Sequence, residues 1–259
     1  MIGFCPLASG SKGNCIYFGT GNTKVLIDAG ISGKATKQAL ASIDVDIADI
    51  DAIIITHEHT DHIRGLKVLA YNMGIPVFAN SETAKGIAEK FHGCPQFKIF
   101  STGETFEFHD MEIHPFTIQH DAADPVAFTI HAHDIKTGFC TDIGFVTSLV
   151  QNHLKDCDYL YIESNHQPSM VHSCSRPYVC KQRVLGRSGH LSNEACGNLI
   201  STIHHPGLKH VHLAHLSHEC NSPEYAIKTI QKILHDNKQT VEISIAQQNT
   251  VSKAIHFLP

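Results

Sequence analysis

The chain of 259 residues carries 20 Lys+Arg against 25 Asp+Glu, with 42% hydrophobic residues and no Trp. This length and apolar content can bury a substantial core, which excludes a disordered chain, a disulfide-built miniature and a fibrous repeat. The formal net charge of -5 argues against a protein held to nucleic acid by bulk positive charge, so any such contact must be local.

In chain order, Cys15 to Phe18 is apolar and β-prone, Gly19 to Asn22 is a turn, and Lys24 to Ile27 is a second strand running into Asp28-Ala29-Gly30. Residues 35 to 44 read as a helix. Asp51 to Thr56 is a short apolar strand, followed by a helical pattern from about 61 to 73. A strand is expected at Ile75 to Phe78, where Pro76 is tolerated near the start, and a helix at Glu82 to Phe91. The span 97 to 132 is strand-rich, with turns at Gly103 and at His120 to Asp124. Further strands are predicted at 136–140, 158–163, 209–214 and 240–245, with helices at 144–155, 191–203 and 222–235. Residues 165 to 187 have no clean periodicity and read either as an excursion over a site or as a long surface connection. No Pro/Gly/Ser-rich linker or charge block divides the chain. The expectation is one α/β (α+β) domain over 1–259, with two mixed sheets packed together and helices outside.

Nine cysteines, at positions 5, 15, 94, 140, 157, 174, 180, 196 and 220, contain no CxxC pair and suggest reduced thiols in a cytoplasmic protein. The first ten residues, MIGFCPLASG, do not read as a secretory leader, and no apolar run approaches a membrane span.

Histidine is in excess, at 21 residues, and its spacing matters more than its number. Thr56-His57-Glu58-His59-Thr60-Asp61-His62 follows an apolar strand, at the kind of strand-to-helix junction where α/β proteins gather ligands. A strand continued through His57 and His59 would point both to one face, while Asp61 and His62 at the turn face a second position. Imidazole nitrogen and carboxylate oxygen suit zinc, manganese or iron. His120 with Asp121, Asp142 and His215 each follow a strand-like segment, as expected of a site assembled from distant parts of the sequence.

These residues, with LIDAG at 26–30, TD at 141–142, GHLSN at 189–193 and HLSHE at 215–219, resemble the metallo-β-lactamase-fold hydrolases. The combination of the histidine loop with GHLSN and HLSHE narrows the resemblance to the YycJ/WalJ-type bacterial exonuclease branch, related to ribonuclease Z, which SGSKGNC at 9–15 and YIESNH at 161–166 also match. The resemblance covers about residues 4 to 246 and implies an αββα sandwich. It implies that His57, His59 and His120 hold one divalent ion, that Asp61, His62 and His215 hold another, and that Asp142 bridges them. It also places Asp28 behind the ligands, organising their loop. Two such ions, Zn²⁺ or Mn²⁺, can lower the pKa of a bridging water and stabilise charge on a phosphoryl group, so the expected reaction is attack of the resulting hydroxide on a phosphodiester. The branch implies 5'-to-3' exonuclease action on DNA.

His190 resembles the extra histidine that ribonuclease Z relatives use near the leaving group, where imidazole can protonate the departing oxygen. Alternatively it packs beside a helix capped by Ser192 or Asn193. Ser192, Ser217, His218 and Asn221 are candidate phosphate contacts or local structure. Arg183 and Arg187, with Lys181, could position a nucleic-acid backbone or form a solvated turn. A hydrolase of a cyclic phosphodiester or thiolester is the alternative activity, and a noncatalytic metal-stabilised interaction protein is the alternative class.

Overall fold

The computed structural model describes residues 1–93 and 95–257, so Cys94 lies outside the described residues. Its strands are β1 (Gly3–Ala8), β2 (Cys15–Gly19), β3 (Lys24–Ile27), β4 (Ala52–Ile54), β5 (Val77–Ala79), β6 (Phe97–Ile99), β7 (Phe106–Phe108), β8 (Met111–Thr117), β9 (Val126–Ala132), β10 (Ile135–Cys140), β11 (Tyr159–Glu163), β12 (His210–Ala214), β13 (Glu242–Ile245) and β14 (Ile255–His256). The α-helices are α1 (Gly33–Ala41), α2 (Thr60–Ile63), α3 (Ser81–Phe91), α4 (Ser148–Leu154), α5 (Pro168–Ser173), α6 (Tyr178–Leu185), α7 (Asn193–Ile203) and α8 (Pro223–Asp236). The strands form two seven-stranded mixed sheets, ordered β14-β1-β2-β3-β4-β5-β6 and β13-β12-β11-β10-β9-β8-β7.

Two compact units divide the chain. The first comprises Met1–Pro115, Ala122–Val126 and the chain from Ala246 onward; the second comprises Phe116–Asp121 and Ala127–Ile245. In the first unit, β1 to β3 form an antiparallel meander and β3 to β6 run parallel. Leu7, Tyr17, Leu26 and Ile53 from this sheet are buried with Ile55 just after β4, Leu40 of α1 and Leu66. Burial of each such side chain contributes about 1.5–3 kcal/mol. In the second unit, β10 to β13 run parallel and their core joins Leu160, Ile162, Val211 and Leu213 to Val150 of α4, Leu199 of α7 and Ile230 of α8.

Parallel strands buried on both faces read as continuous apolar runs, which is why β4, β11 and β12 fall where the sequence places them. Three features depart from the sequence reading. β1, GFCPLA, is buried throughout and pairs with β2 and β14; its Pro6 sits at a register shift, where the missing N–H is tolerated. The helix expected over 61–73 is instead the single turn α2 followed by a π-helical segment at Lys67–Asn72. Gly65 lies between them against the carbonyls of Ala29 and Ile31, donating to Ala29, and a Cβ there would clash with both oxygens. The aperiodic span 165–187 forms α5 and α6, and α6 buries none of its residues, so no apolar stripe marked it.

Candidate metal centre

The histidine loop of the first unit is built on Asp28. This residue follows β3 and adopts a left-handed backbone, φ +61°, unusual for a residue with a Cβ. Its fully buried carboxylate accepts from the Thr56 backbone N–H at 2.9 Å, from the Thr56 hydroxyl at 2.9 Å and from His62 Nδ1 at 2.7 Å. The Thr56 hydroxyl oxygen in turn lies 3.0 Å from His57 Nδ1. With Nδ1 of both rings donating to oxygen, Nε2 of His57 and of His62 carries the lone pair. The ring centroids of His57 and His62 are 4.0 Å apart, and those of His57 and His59 4.6 Å. The strand ends at Ile54, so the alternation expected through His57 and His59 does not hold; His59 occupies the N-cap position of α2, and Asp61 its first turn. Asn14, whose Oδ1 accepts from the Gly10 N–H, donates through Nδ2 to His62 Nε2 at 3.0 Å and to Asp61 Oδ2 at 3.4 Å.

The second unit repeats this construction. Asp142, after β10, and His215, after β12, also have left-handed backbones, φ +57° and +54°. Both strands end and turn sharply at a site residue, and such strained positions cluster at functional sites. His215 Nδ1 lies 3.1 Å from Glu163 Oε1, while its Nε2 is 3.5 Å from Asp142 Oδ1. His120 Nδ1 donates to the carbonyl of Gly189 at 3.2 Å, and its Nε2 is 3.9 Å from Asp142 Oδ1. Burial lowers the His120 pKa against the pull of Asp142, which favours the neutral ring. Ligand atoms of Asp142, Glu163, His190 and His215 all lie within 4.8 Å of one another.

His57, His62, His120 and His215 therefore share one arrangement, with Nδ1 held by an oxygen acceptor and the lone pair on Nε2, which in His62 accepts from Asn14. This is how metal-binding histidines are oriented, and with the carboxylates of Asp61 and Asp142 the donor set fits divalent ions that take nitrogen and oxygen.

His190 makes a different use of its ring. Its Nδ1 is 2.7 Å from Glu163 Oε1 and 3.7 Å from Asp142 Oδ1. Desolvation disfavours the imidazolium, but the charge and hydrogen bond of Glu163 prevail and raise its pKa. Burial also works against ionisation of Glu163, yet the His190 charge and the hydrogen bonds from His190 and His215 hold the carboxyl below the usual range. Gly189, just before His190, packs against the carbonyls of Arg183 and Val184 at the end of α6, where a Cβ has no room.

Glu163 is the site residue that sequence reasoning missed; the available signal was an acid ending the wholly buried strand YLYIE. Its Oε2 also accepts from the N–H groups of Ile143 and Leu191. Ser192 caps α7 through the Ala195 N–H, and Asn221 and Asn193 form a reciprocal amide pair that ties down the Ser164–Asn165 turn. Asn165 donates to the His215 carbonyl at 2.7 Å. Ser217 accepts from the Cys220 N–H, and His218 is exposed. Arg183 pairs with Asp121 at 2.7 Å and Arg187 lies 4.0 Å over the Phe145 ring, so both guanidiniums have partners in the protein.

A model of the beta-lactamase superfamily domain matches residues 23–216, three quarters of the chain. The chain belongs to the metallo-β-lactamase-fold superfamily. It is 37% identical over 235 residues to exodeoxyribonuclease YycJ of Bacillus anthracis, covering 90% of this chain and 89% of that protein. It is 38% identical over 228 residues to exodeoxyribonuclease WalJ of Streptococcus pneumoniae, covering 86% and 85%. The metallo-β-lactamase fold protein YhfI from Bacillus subtilis superposes with a TM-score of 0.72 at 17% identity over 96% of this chain and 97% of that one, a likeness of fold. The two mixed sheets and eight α-helices thus match the αββα fold expected from sequence, and as a member of this superfamily the protein is a metal-dependent hydrolase. Among the described residues no helix is long and apolar enough to cross a membrane.

Proposed function

We propose that this metallo-β-lactamase-fold hydrolase is a phosphodiesterase with two divalent ions, Zn²⁺ or Mn²⁺, acting in the cytoplasm as a 5'-to-3' exonuclease on DNA. The observation that carries the reading is the shared carboxylate of Glu163, which lies against Nδ1 of both His190 and His215 and raises the His190 pKa. The names and near full-length coverage of the YycJ and WalJ relatives support DNA as the substrate. In this reading His57, His59 and His120 would hold one ion and Asp61, His62 and His215 the other, Asp142 would serve both, and Asp28 would orient the first loop. The ions supply charge stabilisation at the phosphoryl group and a hydroxide derived from water near neutral pH.

His190 is the general acid. Nδ1 is committed to Glu163, which leaves Nε2 as the nitrogen that would donate to the leaving group. As the hydroxide oxygen bonds to phosphorus and the P–O3' bond breaks, the Nε2 proton passes to O3'. The terminal nucleotide departs with a 3'-hydroxyl, and the remaining strand keeps a 5'-phosphate ready for the next cycle. Glu163 stabilises the imidazolium before transfer and keeps the ring aimed.

The test is a time course on duplex DNA labelled separately at each end, with metal-free protein reloaded with Mn²⁺ or Zn²⁺ and an Asp61→Ala control. Progressive loss of the 5' label that is absent in the control is expected. Intact polymer with metals demonstrably bound would overturn the reading and favour a cyclic phosphodiester or thiolester.

A further inference from the structure

Within the second unit a cavity of about 410 Å³ opens beside His190. Phe145 lies on its wall with the Arg187 guanidinium stacked on the ring, and Leu185, Leu191 and Leu199 add apolar surface. Gln151 of α4, and Asn198 and Thr202 of α7, add side chains that can both donate and accept hydrogen bonds. Apart from His190, whose proton the proposed reaction uses, the lining residues carry no charged side chain. His166 completes the wall. It is 2% exposed, and its Nδ1, itself buried, makes no hydrogen bond within the protein.

Flat apolar surface and neutral amides suit a flat, uncharged heteroaromatic group rather than a phosphate. The volume falls in the range of small-ligand sites, about 300–1,000 Å³. His190 lines the same cavity, and as the proposed acid it would meet the leaving oxygen, so the group attached to that oxygen is the one the cavity is placed to receive.

We infer that the cavity seats the base and sugar of the nucleoside that carries the leaving O3', which is the terminal nucleotide of the strand being digested. This rests on the exonuclease reading of the His190 site. Amides that donate and accept serve purines and pyrimidines alike, which suits digestion without sequence preference. Occupancy of the cavity sets the cut one nucleotide from the end and makes the released mononucleotide a product inhibitor.

The experiment uses metal-loaded full-length protein and an Asn198→Trp variant, which fills the cavity from an exposed position on α7. Calorimetric titration with 2'-deoxyadenosine, which has no phosphate, and with its 5'-monophosphate measures affinity, and steady-state digestion of duplex DNA separates KM from kcat. Both ligands are expected to bind the wild type, with affinity weakened about tenfold or more in Asn198→Trp and KM for DNA raised in parallel. A His166→Gln variant, which keeps a polar group in the wall, is expected to shift nucleoside affinity and KM by more than kcat. Monophosphate binding equally to wild type and Asn198→Trp, with no nucleoside binding, would place the ligand at the metals and overturn the inference. Should wild-type protein leave DNA intact, the exonuclease reading falls by a result that needs no cavity variant, and the terminal-nucleotide assignment falls with it.

Discussion

Glu163 Oε1 lies 2.7 Å from His190 Nδ1, and that same oxygen is 3.1 Å from His215 Nδ1. One buried carboxylate thus serves a proposed proton donor and a proposed metal ligand, so substitutions at Glu163 and His190 separate the two roles. His190→Ala is expected to lower kcat about 10²–10⁴-fold while both metals are retained, as measured by inductively coupled plasma mass spectrometry. The defect should shrink for a 4-nitrophenyl phosphodiester, whose leaving group needs no proton. Glu163→Gln is expected to lower kcat and also to weaken metal binding about 10–100-fold, because the His215 ring loses its orienting anion. Loss of both metals in His190→Ala would make that residue a ligand and remove it as the acid.

Asp28 stands to the first unit's loop as Glu163 stands to the second cluster. Its carboxylate has three donors in a fully buried setting, and replacing it leaves the Thr56 N–H and His62 Nδ1–H without their acceptor. Asp28→Ala is therefore expected to destabilise the fold by about 1–3 kcal/mol per stranded buried donor. Retention of metal after dialysis against a graded chelator should fall as well, by about 10–100-fold in affinity. An unchanged chelation curve would show that the loop holds its histidines without Asp28.

Much of this architecture is legible because buried parallel strands are continuous apolar runs and their ends carry polar chemistry. Ile54 before the histidine loop and Ala214 before His215 are examples. Elements without that contrast were hidden. β1 is apolar without alternation and contains Pro6, which argues against a strand until a bulge accommodates it. Glu163 was hidden for the opposite reason: in sequence it closes a strand as a surface acid would, and the partners that explain its complete burial, His190, His215 and the N–H groups of Ile143 and Leu191, come from distant segments. The left-handed backbones of Asp28, Asp142 and His215 have no period to betray them, although Asp and His are among the residues that tolerate this conformation.

The thiols should divide sharply in reactivity. Burial raises the Cys5 and Cys157 thiols to about 12, and it likewise pushes up Cys15, Cys140 and Cys196. A raised pKa keeps the thiol protonated, so these five carry almost no thiolate at pH 8 and should resist a disulfide reagent in the native protein. Cys180, exposed on α6, should react promptly, and Cys5, Cys15, Cys140, Cys157 and Cys196 only on unfolding. Mass mapping of the modified peptides checks this order. Rapid labelling of Cys15 or Cys196 would mean that the sheets open far more readily than their packing implies.

The basic residues after α5 differ in how freely they can meet a phosphate. Arg183 is paired with Asp121, so a phosphate must compete with a carboxylate, whereas Arg187 only stacks on Phe145 and keeps its N–H groups available for a second partner. Each phosphate contact on duplex DNA contributes about 0.9 to the slope of log K against log salt. Arg187→Ala is expected to weaken DNA binding at low salt and flatten that slope by up to about 0.9, with a smaller change for Arg183→Ala. Fluorescence anisotropy across a salt titration with catalytically blocked Asp61→Ala protein measures both. Parallel lines for Arg187→Ala and its parent would remove this arginine from the DNA path and leave the Phe145 contact as its role.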